Sequence, residues 1–228
     1  MQIVWKRHTD EHTVFLNNIK GGEGSQYINA ARVNSFMKKD ALLVMEHPMS
    51  HTLSHAWHLV MEKNVAVWVL LHSFAEDNES FPDVLSSNIP EVNITICEVS
   101  NSNLFKESQV IMKKEGSPTP YTMSVLEIHG WHSDTCLPSS PDTLLQALDR
   151  VNQLTQNPGI ALFSCRDGVS GCGVAVSLWL ILERYHHLSS IDIYKSVLSV
   201  QYDRTQFIQD LEQYNFLYTS VKTYVASF

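Results

Sequence analysis

A cysteine set among glycines is the part of this 228-residue chain best equipped to do chemistry. Cys165 follows a short apolar run, residues 160–163, and Ser164; after it come Arg166, Asp167, Gly168, Val169, Ser170, Gly171, Cys172 and Gly173. Beyond them Val174, Leu178, Ile181 and Leu182 recur at helical spacing, so the order reads strand, tight loop, helix. At such a junction unpaired backbone N–H groups converge, and the helix dipole adds positive potential, which makes a cradle for an anion. A thiol at the mouth of that cradle is a candidate nucleophile. A buried thiol in a plain strand-turn-helix connection is the bland alternative, and these residues alone leave both readings open.

The elements that must position this loop are legible around it. Residues 41–45 and 65–71 are apolar runs continuous enough to be strands buried on both faces. Between them, residues 51–62 carry Leu53, Trp57, Val60 and Met61 at helical spacing. Three alternating runs, 92–99, 107–113 and 121–128, predict an antiparallel meander, with 117–120 as one connection. Residues 142–156 form an amphipathic pattern opened by Ser140 and Pro141. After the loop's own helix, residues 191–200 and 205–225 predict two more. Gly21 to Gly24 reads as a turn between two edge strands.

Residues 164–173 resemble the signature loop of protein tyrosine phosphatases, His-Cys-Ser-Ala-Gly-x-Gly-Arg-Thr-Gly. Cys165 takes the nucleophile position, and Gly168, Val169 and Gly173 match. Tyr27-Ile-Asn-Ala resembles the family's Tyr-Ile-Asn-Ala-Ser, residues 51–62 its Thr-x-x-x-Phe-Trp helix, and residues 206–218 its glutamine-rich C-terminal segment. The likeness runs in the correct order from Tyr27 to Tyr218. It implies an α/β fold of the tyrosine-phosphatase kind, a central, highly twisted mixed sheet flanked by helices on both sides. It also implies roles in cysteinyl-phosphate chemistry: Cys165 as nucleophile, Asp134 as general acid, Gln209 as the water-positioning residue with Gln213 near it, and the 164–173 loop as phosphate holder.

The departures from that pattern decide the expected activity. Ser164 stands where the family has histidine, Cys172 where it has a hydroxyl residue, and Gly171 where it has the phosphate-gripping arginine. That arginine makes charge-assisted bonds of about 1.5–3 kcal/mol each. Arg166 sits where the family has serine, so its side chain is expected to leave the cradle, while Asp167 brings a negative charge near the phosphate position. The missing arginine makes Cys165 a vestigial nucleophile, and the acid loop, 130–138, which fits only with one residue inserted, makes Asp134 a displaced acid. The family's Asn-Arg-Tyr clamp is not found upstream, nor its Lys-Cys-x-x-Tyr-Trp-Pro element in the acidic stretch 74–90. Cys-Arg-Asp-Gly, Asp192-Ile-Tyr and residues 211–218 resemble the membrane-distal second domains of receptor tyrosine phosphatases. The expectation is therefore a pseudophosphatase with a regulatory, protein-interaction role. Its rivals are a weakly active phosphatase using Cys165 and Asp134, and a phosphotyrosine reader that does not hydrolyse. Arginine returned to position 171 is expected to restore oxyanion binding more than turnover, and Cys165 and Cys172 are candidates for a redox pair.

Composition bounds the remaining classes. Hydrophobic residues make up 44% and charged residues 18%, and the formal net charge is −8. With no basic cluster, nucleic acid and anionic lipid are poor partners. Four cysteines without a Cys-x-x-Cys pair point to a reducing compartment. The eleven histidines lack metal-ligand spacing, so neither metal nor other cofactor is expected. The longest apolar run, 65–71, is too short to cross a bilayer. Composition and length predict one soluble intracellular domain over 1–228; the resemblance implies that its N-terminal clamp is missing or truncated and that it lies in the cytoplasm as the intracellular part of a plasma-membrane receptor. Its expected partners are proteins, including an active phosphatase domain in the same or another chain, with no direct membrane insertion.

Overall fold

The computed structural model of the chain describes residues 12–17, 26–71, 83–86, 92–114, 119–132, 134–155 and 159–227. The three most apolar runs lie side by side at its centre. These are β3 (Leu42–Glu46), β4 (Val65–Leu70) and β10 (Ile160–Cys165), with β10 parallel to both neighbours and between them. Because side chains alternate along a strand, each run serves two cores. Val44, Val67, Val69, Ala161 and Phe163 enter one, and Leu43, Met45, Trp68, Leu70 and Leu162 the other. Both faces must be covered, which is why these strands read as continuous rather than alternating apolar runs.

Among the described residues the second core is covered by α1 (Leu53–Glu62), whose Trp57 meets Trp68 edge to face at 5.3 Å between centroids. The first core is covered by α2 (Pro141–Leu154), α3 (Ser170–Leu188), α4 (Ile193–Asp203) and α5 (Leu211–Ala226). On one side the sheet extends through β2 (Tyr27–Val33) and β1 (Thr13–Phe15), both antiparallel. On the other side β7 (Tyr121–Ile128) runs parallel to β4 and starts the expected meander with β6 (Phe105–Lys114) and β5 (Val92–Asn101). The order is β1-β2-β3-β10-β4-β7-β6-β5, a mixed sheet with helices on both faces. A separate ribbon, β8 (Trp131–His132) with β9 (Leu137–Pro138), carries the 130–138 loop.

Helix starts follow side-chain caps. Ser140 Oγ accepts the Thr143 N–H at 3.3 Å ahead of Pro141, as the sequence predicted for α2. The expectation of a helix over 205–225 needs correction, since α5 begins only at Leu211. Ile208 takes a left-handed φ of 54°, which breaks the helical run, and the Asp210 carboxylate then caps the Gln213 N–H at 2.8 Å. The expected turn at 21–24 and the clamp region before residue 12 lie outside the described residues. So does most of the 74–90 stretch, apart from a single 3-10 turn, Val84–Ser86.

Candidate active site

β10 delivers Cys165 to the C-terminal edge of its parallel neighbours, the edge where parallel sheets gather ligands. Its carbonyl accepts the His47 N–H at 2.8 Å and the Gly168 N–H at 3.2 Å, so the chain turns sharply as soon as the strand ends. Gly168 makes the turn with φ +67°, and a Cβ there would lie 2.4 Å from the Glu46 backbone nitrogen. Only glycine satisfies both the conformation and the approach. The loop then enters α3 at Ser170.

The loop's concave side is filled by its own carboxylate. Asp167 Oδ1 accepts the N–H groups of Val169 at 2.8 Å and Ser170 at 2.9 Å, and Oδ2 accepts the Ser170 hydroxyl. Although the residue as a whole lies at the surface, its carboxylate is turned back onto the loop. Burial pushes this carboxyl up, but the Ser170 hydroxyl, the two amides and the Cys165 thiol outweigh that and hold it below the usual carboxylate range. Two of the N–H groups that the sequence offered to an external anion, those of Val169 and Ser170, are therefore met by a side chain two residues from the cysteine.

Cys165 is only 3% exposed and donates its S–H to Asp167 Oδ1 at 3.2 Å. Its sulfur also receives the Cys172 N–H at 3.4 Å. Attack on phosphorus needs this sulfur free and aimed into the cradle, and here its S–H is engaged with the loop's own carboxylate. Cys172 is fully buried, and its S–H faces the Phe163 carbonyl at 3.5 Å; burial raises this thiol well above its ordinary range. Both cysteines are free thiols. Ser164, at the family's histidine position, is buried and accepts the Trp68 indole N–H at 2.8 Å.

Gly171 has no room for a longer side chain without rearrangement. A Cβ on it would sit 3.0 Å from Trp131 Cζ2 and 3.2 Å from Cys165 Cβ. Trp131 thus packs over the place where the family's arginine would leave the backbone. The cavity between them measures about 60 Å³ and is lined by Leu71, Trp131, His132, Cys136, Cys165 and the loop residues Arg166, Asp167 and Gly171. Ligand pockets commonly run to about 300–1,000 Å³, so this space suits water and not an aryl phosphate.

The remaining sequence candidates scatter. Asp134 is exposed on the turn between β8 and β9 and does not line the cavity. The residue which that loop does present is Cys136, held at a left-handed φ of 53°. Burial first, and then the nearby Asp167 and Cys165, raise its thiol against an opposing hydrogen bond to Ser170. Sequence reasoning passed over Cys136; its place two residues after Asp134 in the acid loop was the available signal. Gln209 is exposed and also off the cavity, and its N–H donates to Gln213 Oε1 at 3.0 Å. Buried Gln213 is thereby occupied in shaping the start of α5. Among the described residues no three His, Cys, Asp or Glu side chains are grouped to hold a metal ion, and no helix is long and apolar enough to cross a membrane.

Known proteins resemble the chain along almost its whole length. The family described as protein-tyrosine phosphatase matches residues 7–223. A Tyrosine-protein phosphatase Lar-like from Caenorhabditis elegans is 26% identical over 93% of this chain, which spans 10% of that protein. Receptor-type tyrosine-protein phosphatase F from Homo sapiens is 24% identical over 93% of the chain and 11% of its own length. Receptor-type tyrosine-protein phosphatase S from Gallus gallus is 26% identical over 95% of the chain and 15% of its own length. The chain therefore spans only about a tenth to a seventh of the length of these relatives.

Proposed function

Because the chain belongs to the protein-tyrosine phosphatase family, we propose that it is a non-hydrolysing member, a pseudophosphatase domain that acts through protein contacts in phosphotyrosine signalling. The observation that carries this reading is the Asp167 carboxylate on the amides of Val169 and Ser170. A phosphoryl group would have to displace a negative charge from the N–H donors it needs. It would do so without the arginine fork that could offset that cost. The Cys165 S–H donates a hydrogen bond to the same carboxylate, so nucleophile and oxyanion site are engaged by one side chain. Asp134, exposed and away from the cavity, is badly placed to protonate a leaving phenol, a step that depends on close placement. Weak catalysis through Cys165 and Asp134 meets all these obstacles at once. A non-hydrolysing reader of phosphotyrosine meets the first of them, in a cavity of about 60 Å³.

Receptor-type relatives support placing the domain on the inner side of a membrane, as a single domain beside an active phosphatase domain in the same or another chain. The test is hydrolysis of para-nitrophenyl phosphate at high protein concentration, wild type against Cys165→Ser. Equal rates are expected. A rate that depends on Cys165 and stands clear of background would overturn the reading.

A further inference from the structure

The two ends of the sheet are finished differently. β1 closes one side with only three residues and a shift in its register with β2. β5 closes the other with ten residues, about twice the common strand length. From Val92 to Glu98 its pairing with β6 is regular, and the shift in register lies beyond, between Glu98 and Ser100. An edge strand carries a row of unpaired N–H and C=O groups, which folded proteins blunt by shortness, proline, lysine or a bulge. β1 uses the first and the last of these. The run from Val92 to Glu98 has no proline and no lysine, and its one charge stands at the end. No strand among the described residues lies outside it, and Thr95 to Asn101 are exposed one after another.

We propose that this edge pairs antiparallel with β5 of a second copy of the chain, about a twofold axis at Thr95. Thr95 is the midpoint of the regular run, so this register uses all of it. Side chains alternate along a strand, and residues directly opposite in an antiparallel pair share a face. On one face Ile94 meets Ile96 of the other copy, and the pair is repeated across the axis. Ile94 already packs on the second core, while Ile96 is 39% exposed. The junction thus continues the apolar face of that core from one copy into the next. On the other face Thr95 meets its own counterpart, a favourable cross-strand pair, and Cys97 meets Asn93. The charges agree with the same register. The row that starts at Glu98 passes through position 92 of the other copy to Lys114 beside it, acid and base on one face. Moving the axis one residue either way shortens the ladder, and toward Ile96 it sets Glu98 against Ile94. Three strands separate β5 from β10, so this pairing and turnover at Cys165 are separate questions.

The test is sedimentation velocity on the reduced chain up to about 500 μM, a range that reaches weak dimers. It compares wild type, Thr95→Lys, Thr95→Glu and an equimolar mixture of the two variants. Thr95 is exposed, so neither substitution touches the core, and arginine or aspartate replaces a variant that does not fold. Wild type is expected to dimerise reversibly with Kd on the order of tens of μM, as suits a small interface. Each variant alone should pair at least about tenfold more weakly, because like charges then stand directly opposite. The mixture should regain the dimer, with lysine facing glutamate. A wild type that stays monomeric throughout overturns the proposal. So does a dimer that survives unweakened in either variant, or a mixture that pairs no better than its components.

Discussion

The N-terminal turn of α3 and its middle meet their polar groups by different means. At Ser170 the free amides are answered from within the chain by Asp167, and the space left over is about 60 Å³. Around Trp179, nine residues or about 14 Å further along the same helix, a buried indole N–H has no partner among the described residues, and a neighbouring cavity measures about 220 Å³. A helix N-terminus attracts an anion whatever its source, and a carboxylate two residues away in sequence is always at hand. A nearby acid on the loop is thus enough to turn an anion site into a closed cap, with no change of fold. The indole has no such neighbour among the described residues, and its N–H is shut off from solvent as well.

The contrast can be broken hardest at Gly168. Gly168→Ala puts a Cβ at positive φ into the Glu46 backbone, and a loss of about 3 kcal/mol is expected from urea denaturation. The Trp179 indole signal of the folded fraction should not move; if it does, the two ends of α3 are not separate. A smaller loss, about 1 kcal/mol, is expected for Asp167→Ala, which removes the cap from Val169 and Ser170. That variant should still fail to turn over an aryl phosphate, because neither the arginine nor a placed acid returns. An unchanged urea midpoint would mean that the carboxylate does not hold the loop.

The sign of the pH effect sharpens the same point. Asp167 is held below its unfolded value of about 3.9, so its contribution is complete above that pH and is lost as pH falls through the folded value. Wild type should therefore lead Asp167→Asn in stability near neutrality, and the lead should shrink between about pH 4 and the acid limit. A gap that stays constant down that range would place the stabilising interaction elsewhere.

Much of this was readable before any coordinates. The runs at β3, β4 and β10 are apolar without a break because both faces are covered, and that marked them as the centre. The Ser140–Pro141 start of α2 was legible because a cap is a local matter. The α5 boundary was not, because Gln206 to Gln209 carry no proline or glycine to announce the left-handed turn at Ile208. Asp167 was recognised as a charge near the phosphate position, while its grip on the loop's own amides depends on backbone direction that letters do not encode. Trp131 over Gly171 was out of reach altogether, since it joins positions forty residues apart through the packing of two loops. That contact also revises the expectation for arginine at 171, which would have to displace the indole and would find Asp167 waiting as its counter-ion.

The most direct test is tungstate binding by calorimetry to wild type, Gly171→Arg, and Gly171→Arg combined with Asp167→Ala. Wild type and the single variant should show no binding below about 10 mM. The double variant should bind at least about tenfold tighter, since its amides are free and the arginine fork has no internal partner. Micromolar tungstate affinity in wild type, or in Gly171→Arg alone, would contradict the claim that Asp167 closes this site.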